Sequence, residues 1–282
     1  MPVTNNPLQS TIRRLAAAVA VVALTACGAL DSGPPLEDLT ANQIFERAER
    51  QLADGQADDA AVTFGEIERL YPYSELASRA LIMQAFSYHR DENFPASRAA
   101  AQRYLDFYPA EADAPYAAYL VALSFYDQID EIGRDQGLTV QALQSLSRVI
   151  ERYPGTEYAR LSSQKFDLAF DHLAAKEMEI GRFYLKRGNF AAAANRFRTV
   201  VEDFQTSTHT PEALHRLVES YLSLGLTDEA QTAGAILGYN YQSSEWYQSS
   251  FALLTGKGLT ADPVGNNWLS SIYRQVVRGE WL

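Results

Sequence analysis

The chain repeats one arrangement of residues five times, and this repetition limits its possible folds more than any other feature. Each copy begins at a turn residue, which is followed by a small residue five positions later and by an aromatic residue sixteen positions later. The turn residues are Gly55, Glu92, Gly137, Gly188 and Gly225. A frame that recurs every few tens of residues indicates stacked copies of one supersecondary unit, because a single unit cannot bury its own apolar face.

The unit itself is a pair of helices. From Thr40 onward glycine and proline are sparse and apolar residues follow helical spacing. Three of the aromatic positions precede a proline, which ends a helix. The pattern resembles the tetratricopeptide repeat, a pair of antiparallel helices. We therefore expect an all-α fold, a tetratricopeptide-repeat solenoid of about five helix pairs with a C-terminal helical extension.

Two irregularities interrupt the repeat. The third pair should turn near Ile129, whereas its turn residue in the shared frame is Gly137, so eight extra residues should form a loop between its helices. Nothing breaks a helix between Pro154 and Gly188. We expect one extended helix over 158–187, which joins the first three repeats to the last two.

The N-terminus has the layout of a secretory signal. Arg13 and Arg14 precede an apolar run that is too short to span a membrane. The run ends in residues 24–27, Leu-Thr-Ala-Cys, which resemble the bacterial lipobox. That resemblance implies cleavage before Cys27 and attachment of lipid to this residue, the only cysteine in the chain. In such lipoproteins an aspartate directly after the lipidated cysteine marks retention in the inner membrane, and this chain has Gly28 there. We therefore expect an outer-membrane lipoprotein on the periplasmic side.

The sequence thus predicts five segments. A signal peptide (1–26) precedes a lipidated tether (27–39), repeats one to three (40–157), repeats four and five (158–242) and a C-terminal extension with an amphipathic helix (243–282). The apolar stripe of that last helix consists of Trp268, Leu269, Ile272, Tyr273, Val276 and Val277. We expect the stripe to cap the last repeat or to bind another protein, with the membrane surface as a third alternative.

Composition excludes several classes of function. The net charge of −11 leaves no electrostatic basis for binding nucleic acid. A single cysteine and four scattered histidines lack metal-ligand spacing, so we expect no metal and no cofactor apart from the lipid. The carboxylates of Asp127, Asp130 and Glu131 have no histidine near them in the sequence, and no serine lies in a nucleophile motif. We expect no enzymatic activity.

The tetratricopeptide resemblance implies that the first helix of each pair lines a groove. The candidate groove residues are Phe45, Arg79, Ile82, Phe86, Tyr116, Tyr119 and Tyr126. An aromatic groove with few charges suits an extended peptide with aromatic side chains. The alternative is that some of these aromatic residues pack between repeats.

Three local segments resemble the BamD family, lipoprotein subunits of the outer-membrane β-barrel assembly machinery. They are residues 69–73 (Arg-Leu-Tyr-Pro-Tyr), 183–188 (Phe-Tyr-Leu-Lys-Arg-Gly) and 194–196 (Ala-Asn-Arg). The resemblance implies a non-catalytic role in which the C-terminal repeats bind the periplasmic domains of the central barrel protein, with Arg196 as a contact. It also implies association with other assembly lipoproteins and receipt of the C-terminal strands of unfolded outer-membrane proteins by the N-terminal repeats. The alternative is a periplasmic adaptor lipoprotein for peptidoglycan enzymes.

Overall fold

A computed structural model describes residues 34–264 and 268–278, with side chains to Arg274 in the last segment. The expected lipobox and Cys27 lie outside the described residues. All regular structure in the described part is helical, which confirms the predicted fold class. After a 3-10 turn at Leu36–Asp38, the helices are α1 (Ala41–Ala53), α2 (Ala57–Leu70), α3 (Ala77–Arg90), α4 (Phe94–Phe107), α5 (Ala114–Tyr126), α6 (Gly137–Arg152), α7 (Glu157–Lys186), α8 (Phe190–Asp203), α9 (Thr210–Leu224), α10 (Thr227–Asn240), α11 (Glu245–Thr255) and α12 (Trp268–Arg278).

Within the described residues, 34–84 form one compact unit, and 85–264 with 268–278 form a second. In the first unit, α1 packs against α2 around a core that includes Ile44, Phe64 and Ile67. In the second unit, each helix from α4 to α10 packs against the next, as expected for successive antiparallel pairs. Its largest core joins α7 to α12 around Met178, Phe197 and Leu214.

The turn residues between paired helices have the backbone conformation that the repeat frame predicts. Gly55, Gly188 and Gly225 have φ values of +83°, +72° and +77°. Glu92 takes the same left-handed conformation at φ +59°, although it has a Cβ atom. Glycine adopts this region without steric cost, which explains its recurrence at the turn.

The third pair is different. Gly137 was expected to be its turn residue but is the first residue of α6, and it is not among the residues with positive φ. The connection runs instead through residues 127–136, as the predicted insertion requires. The inserted loop is fixed to α7, because the Lys176 ammonium donates to the Gly133 carbonyl at 2.8 Å. Because the inserted residues form a loop, the two helices are connected without a tight left-handed turn.

The long helix is confirmed, since α7 runs for 30 residues without interruption. Its first half packs against α5 and α6, and the helix also packs along α8. Gly181 lies on α7, seven residues before the turn at Gly188. A Cβ atom there would meet the Phe197 ring at 2.5 Å, so the glycine lets α7 and α8 approach closely.

The C-terminal extension packs on the last repeat. Leu269 and Ile272 are buried in the large core, and the Trp268 indole donates to the Tyr221 hydroxyl at 3.2 Å. The Arg198 guanidinium lies 4.6 Å from the centre of the Trp268 ring. The apolar stripe is therefore a cap within the chain at the residues whose side chains are described.

Candidate protein-binding surfaces

The candidate groove residues of the first unit differ sharply in accessibility. Phe45 is 5% exposed and meets Phe64 edge to face, with ring centres 5.1 Å apart, while Ile82 is 4% exposed. Arg79 is exposed, lies 4.8 Å from the centre of the Phe45 ring and pairs with Glu49 at 3.4 Å. Phe45 and Ile82 thus stabilise the core, and Arg79 is the one of the three that a ligand can reach.

In the second unit, three candidate tyrosines share one face of α5 and pack against α7. The rings of Tyr116 and Tyr119 lie 5.2 and 5.7 Å from the Tyr158 ring, and the Lys165 ammonium lies 4.1 Å from the Tyr126 ring centre. Tyr119 is only 7% exposed, whereas Tyr116 and Tyr126 are half-buried. We call Tyr116, Tyr126, Tyr158 and Lys165 the tyrosine face. Because α7 is long, its first half supplies Tyr158 and Lys165 beside α5, a contribution that the repeat frame did not reveal.

Burial further favours the neutral form of the three tyrosine hydroxyls on the tyrosine face. It raises the pKa of Tyr116 to about 12, with the neighbouring phenols of Tyr158 and Tyr119 adding to the shift. Burial also raises the pKa values of Tyr126 and Tyr158. These hydroxyls therefore remain protonated near neutral pH, and the surface offers aromatic edges and hydroxyl groups next to one lysine.

Phe86 is half-buried on α3, where the Arg90 guanidinium lies 5.9 Å from its ring centre. At the end of the same helix, the Nε2 atom of His89 lies 3.0 Å from the Asp127 carboxylate. The sequence argument that no histidine accompanies the carboxylates near Asp127 was wrong, because the histidine comes from a helix 38 residues away. The pair joins the ends of α3 and α5.

Arg196 lies on the exposed side of α8. Its guanidinium donates to Glu177 of α7 at 3.1 Å, and its side chain retains 44% of its accessible surface. It borders a cavity of about 230 Å³ that Tyr184, Asn195 and Thr199 also line. The arginine is therefore accessible and already held by one carboxylate.

A charged cluster at α9 was missed in the sequence analysis. Arg182 and Arg216 both donate to Glu212, and Arg216 also donates to Glu219 at 2.7 Å. The spacings of four and three residues within α9 are the sequence signal for the Arg216 contacts. The partnership with Arg182 depends on tertiary packing.

Beside this cluster, His215 is buried under α11. Its Nδ1 atom lies 2.8 Å from the Ser250 hydroxyl, and its ring lies 5.3 Å from the Trp246 ring. Burial lowers the pKa of His215, which the nearby Glu219 carboxylate partly opposes. His215 is thus part of the contact with the extension.

Neither a metal site nor a membrane span emerges from the described residues. No group of three potential ligands is found among them, and none of their helices is both long and apolar enough to cross a bilayer.

Comparison with known proteins identifies the family. The family model described as "YfiO: Outer membrane lipoprotein" matches residues 37–236. The outer membrane protein assembly factor BamD of Caulobacter vibrioides is 40% identical over 247 residues, which cover 87% of this chain and 81% of the relative. The chain belongs to the BamD family. The BamD of Rickettsia prowazekii is 45% identical over 69% of this chain and 78% of its own length.

More distant BamD proteins show the same correspondence. That of Neisseria meningitidis serogroup A is 26% identical over 79% of this chain and 89% of its own length. Among solved structures, the type IV pilus biogenesis factor PilW covers 74% of this chain and 97% of its own at 14% identity, with a TM-score of 0.31.

Proposed function

We propose that this chain is a non-catalytic subunit of the outer-membrane protein assembly complex, held on the periplasmic side of the outer membrane by lipid on Cys27. Membership of the BamD family and the lipobox pattern before Cys27 support the proposal. Two or more acyl chains anchor a protein stably, since each buried methylene contributes about 0.8 kcal/mol. Mass spectrometry of the protein from envelopes tests the anchor, because an unmodified Cys27 would contradict it.

The second part of the proposal is that Arg196 binds a carboxylate on the periplasmic domains of the central barrel protein. The observation that carries this part is the placement of Arg196, exposed at the edge of a cavity and paired through one nitrogen with Glu177. A guanidinium has five N–H donors, so it can bind a second carboxylate without losing the first.

The ion pair permits a test that separates binding from structure. We expect Arg196→Glu to weaken binding of purified periplasmic domains about tenfold or more, since it places two like charges at the contact. The double variant E177R/R196E restores an intramolecular ion pair but leaves a carboxylate at position 196, so binding should stay weak. Recovery of affinity in the double variant would show that the pair acts on stability alone. Arg160→Glu is the control, because Arg160 is exposed and pairs with Glu157 of its own helix.

The third part is that the tyrosine face receives the C-terminal strands of unfolded outer-membrane proteins, which usually end in an aromatic residue. The half-buried edges of Tyr116 and Tyr126 and their neutral hydroxyls support this part. Aromatic side chains provide large contact areas at small entropic cost.

A peptide that copies the last strand of a barrel protein tests the tyrosine face. We expect the double variant Y116A/Y126A to bind this peptide about fivefold or more weakly than the unaltered chain. Tyr239→Ala is the control, since Tyr239 is 61% exposed on α10. Equal affinity for all three proteins would remove the tyrosine face from the proposal. Tyr119 is unsuitable for this test because its substitution would open the core.

A further inference from the structure

A second binding surface lies on the other side of α5. Helices α4 and α6 both pack against α5, and between them runs a furrow with a volume of about 420 Å³. Ala118 and Val121 of α5 form part of its floor, together with Leu105 of α4 and Val149 of α6. At roughly 100° per residue, Ala118 and Val121 lie on the side of α5 opposite to Tyr116 and Tyr119. The furrow is therefore separate from the tyrosine face.

Two arginines of α6 line this furrow without a carboxylate partner. Among residues 34–264 and 268–278, no carboxylate oxygen lies within salt-bridge distance of Arg148 or Arg152. Arg148 donates to the Ser145 hydroxyl at 2.9 Å, and Arg152 lies 5.8 Å from the ring centre of Tyr153. Both are exposed. Eight other arginines of the described residues do pair with a carboxylate.

The two acidic residues of the furrow each accept a hydrogen bond from a neutral side chain of their own helix. Asp106 accepts a hydrogen bond from Gln102 at 2.9 Å, and Glu151 accepts one from Ser147 at 2.6 Å. Each bond runs along the helix that carries the acid, between residues four apart. Neither carboxylate forms an ion pair with the arginines, so the guanidinium donors of the furrow remain available to a carboxylate from a ligand.

Arg148 also borders a second cavity. This one has a volume of about 420 Å³ and is lined mainly by Leu143, Gln144, Ser147 and Phe166. The guanidinium of Arg148 therefore stands between two recesses, each with an apolar wall. A ligand that fits both would present apolar side chains on either side of an acidic group.

We propose that this furrow binds an acidic amphipathic segment of a partner protein, with carboxylates on Arg148 and Arg152 and a bulky apolar side chain over Leu105, Val121 and Val149. Arginine and tyrosine beside an apolar recess are the residues in which interface binding energy concentrates. Arginine and carboxylate form two parallel hydrogen bonds, which fix the orientation of the bound segment. This proposal does not depend on Arg196 or on the tyrosine face.

The test uses the full chain and a peptide array. Mass spectrometry first identifies the proteins that co-purify with the chain. The array then presents their periplasmic parts as peptides of about 15 residues. We expect the bound peptides to be those with Asp or Glu beside Leu, Phe or Tyr, and R148E/R152E to weaken them about tenfold or more. The control R134E/R160E makes the same change of net charge at exposed arginines that already have acidic neighbours.

Charge exchange completes the test. A bound peptide whose acids are replaced by arginine should recover affinity for R148E/R152E and lose affinity for the unaltered chain. The proposal is overturned if no peptide binds, if the bound peptides are neutral or basic, or if R148E/R152E and R134E/R160E behave alike. Thermal unfolding of both double variants establishes that a loss of binding is not a loss of folding.

Discussion

The Arg182 guanidinium and the Glu212 carboxylate meet through two parallel hydrogen bonds between α7 and α9. Nε donates to Oε1 at 2.9 Å and Nη2 donates to Oε2 at 2.5 Å. Burial alone would raise the pKa of Glu212, but the hydrogen bonds and charges of Arg182 and Arg216 outweigh it and hold this pKa below its usual range. Glu212 is therefore ionised in the folded chain at pH values where the unfolded chain is already taking up a proton.

This linkage predicts how Glu212→Gln alters stability. A lowered folded-state pKa contributes stability above the unfolded-state value of about 4.3, and that contribution is lost as the pH falls toward the folded-state pKa. We expect Glu212→Gln to lower the free energy of unfolding by about 1–3 kcal/mol at neutral pH. The difference should shrink below about pH 4 in denaturant titrations. Glu202→Gln is the control, because its exposed pair with Arg198 should contribute less than about 0.5 kcal/mol.

Gly181 predicts a steric limit at the contact between α7 and α8. Alanine favours a helix over glycine by up to about 1 kcal/mol, yet its Cβ atom would press against the fully buried ring of Phe197. We expect Gly181→Ala to destabilise the chain by about 1–3 kcal/mol in denaturant unfolding. Gly133→Ala is the control, since nothing lies within 4 Å of the position of its Cβ atom. Equal stability of the two variants would contradict a close approach of the helices.

Glu92 predicts a stabilising substitution. It is the only non-glycine residue with positive φ in the described part of the chain, at the position where three other repeats have a glycine with positive φ. We expect Glu92→Gly to raise the free energy of unfolding by about 0.5–1 kcal/mol, because relief of backbone strain exceeds the added entropy of the unfolded chain. Gly225→Ala, also at positive φ and free of steric contacts, should lower it by a similar amount. Calorimetry of both variants checks the opposite signs.

His215 predicts a loss of stability on mild acidification. The pKa of His215 is lower in the folded chain than in the unfolded chain. As the pH falls below about 6.5, the unfolded chain therefore takes up a proton first. Folding becomes less favourable until the pH passes the folded-state pKa. His215→Gln should flatten the dependence of unfolding free energy on pH in this range, since its amide can still bond to Ser250. An unchanged slope in His215→Gln would exclude the buried imidazole as the cause.

The burial of Leu269 allows the contribution of the C-terminal cap to stability to be measured. This side chain is fully buried, so Leu269→Ala should cost about 2–4 kcal/mol of stability. Phe251→Ala, on the exposed side of α11, should cost less than about 1 kcal/mol. Thermal unfolding distinguishes the two. A small effect of Leu269→Ala would show that α12 is detached in solution.

The sequence predicted the helix pairs more accurately than the surfaces. Turn positions such as Gly188 follow from local chemistry, and the long α7 follows from the absence of a breaker between Pro154 and Gly188. Gly137 was misassigned because an insertion removes the need for a left-handed turn. Burial of Tyr119 and His215 depends on which helix packs over them, and spacing along one helix does not contain that information.

The uninterrupted α7 helix also bears on how the second unit comes apart. About 45 Å long, it is a structural member of both the third and the fourth helix pair, since it packs on α5 and α6 at one end and along α8. Repeat proteins commonly lose their units one at a time from the ends. Here neither of these two pairs can melt without breaking a helix that the other needs, so amides from α5 to α8 should exchange with solvent as one cooperative block.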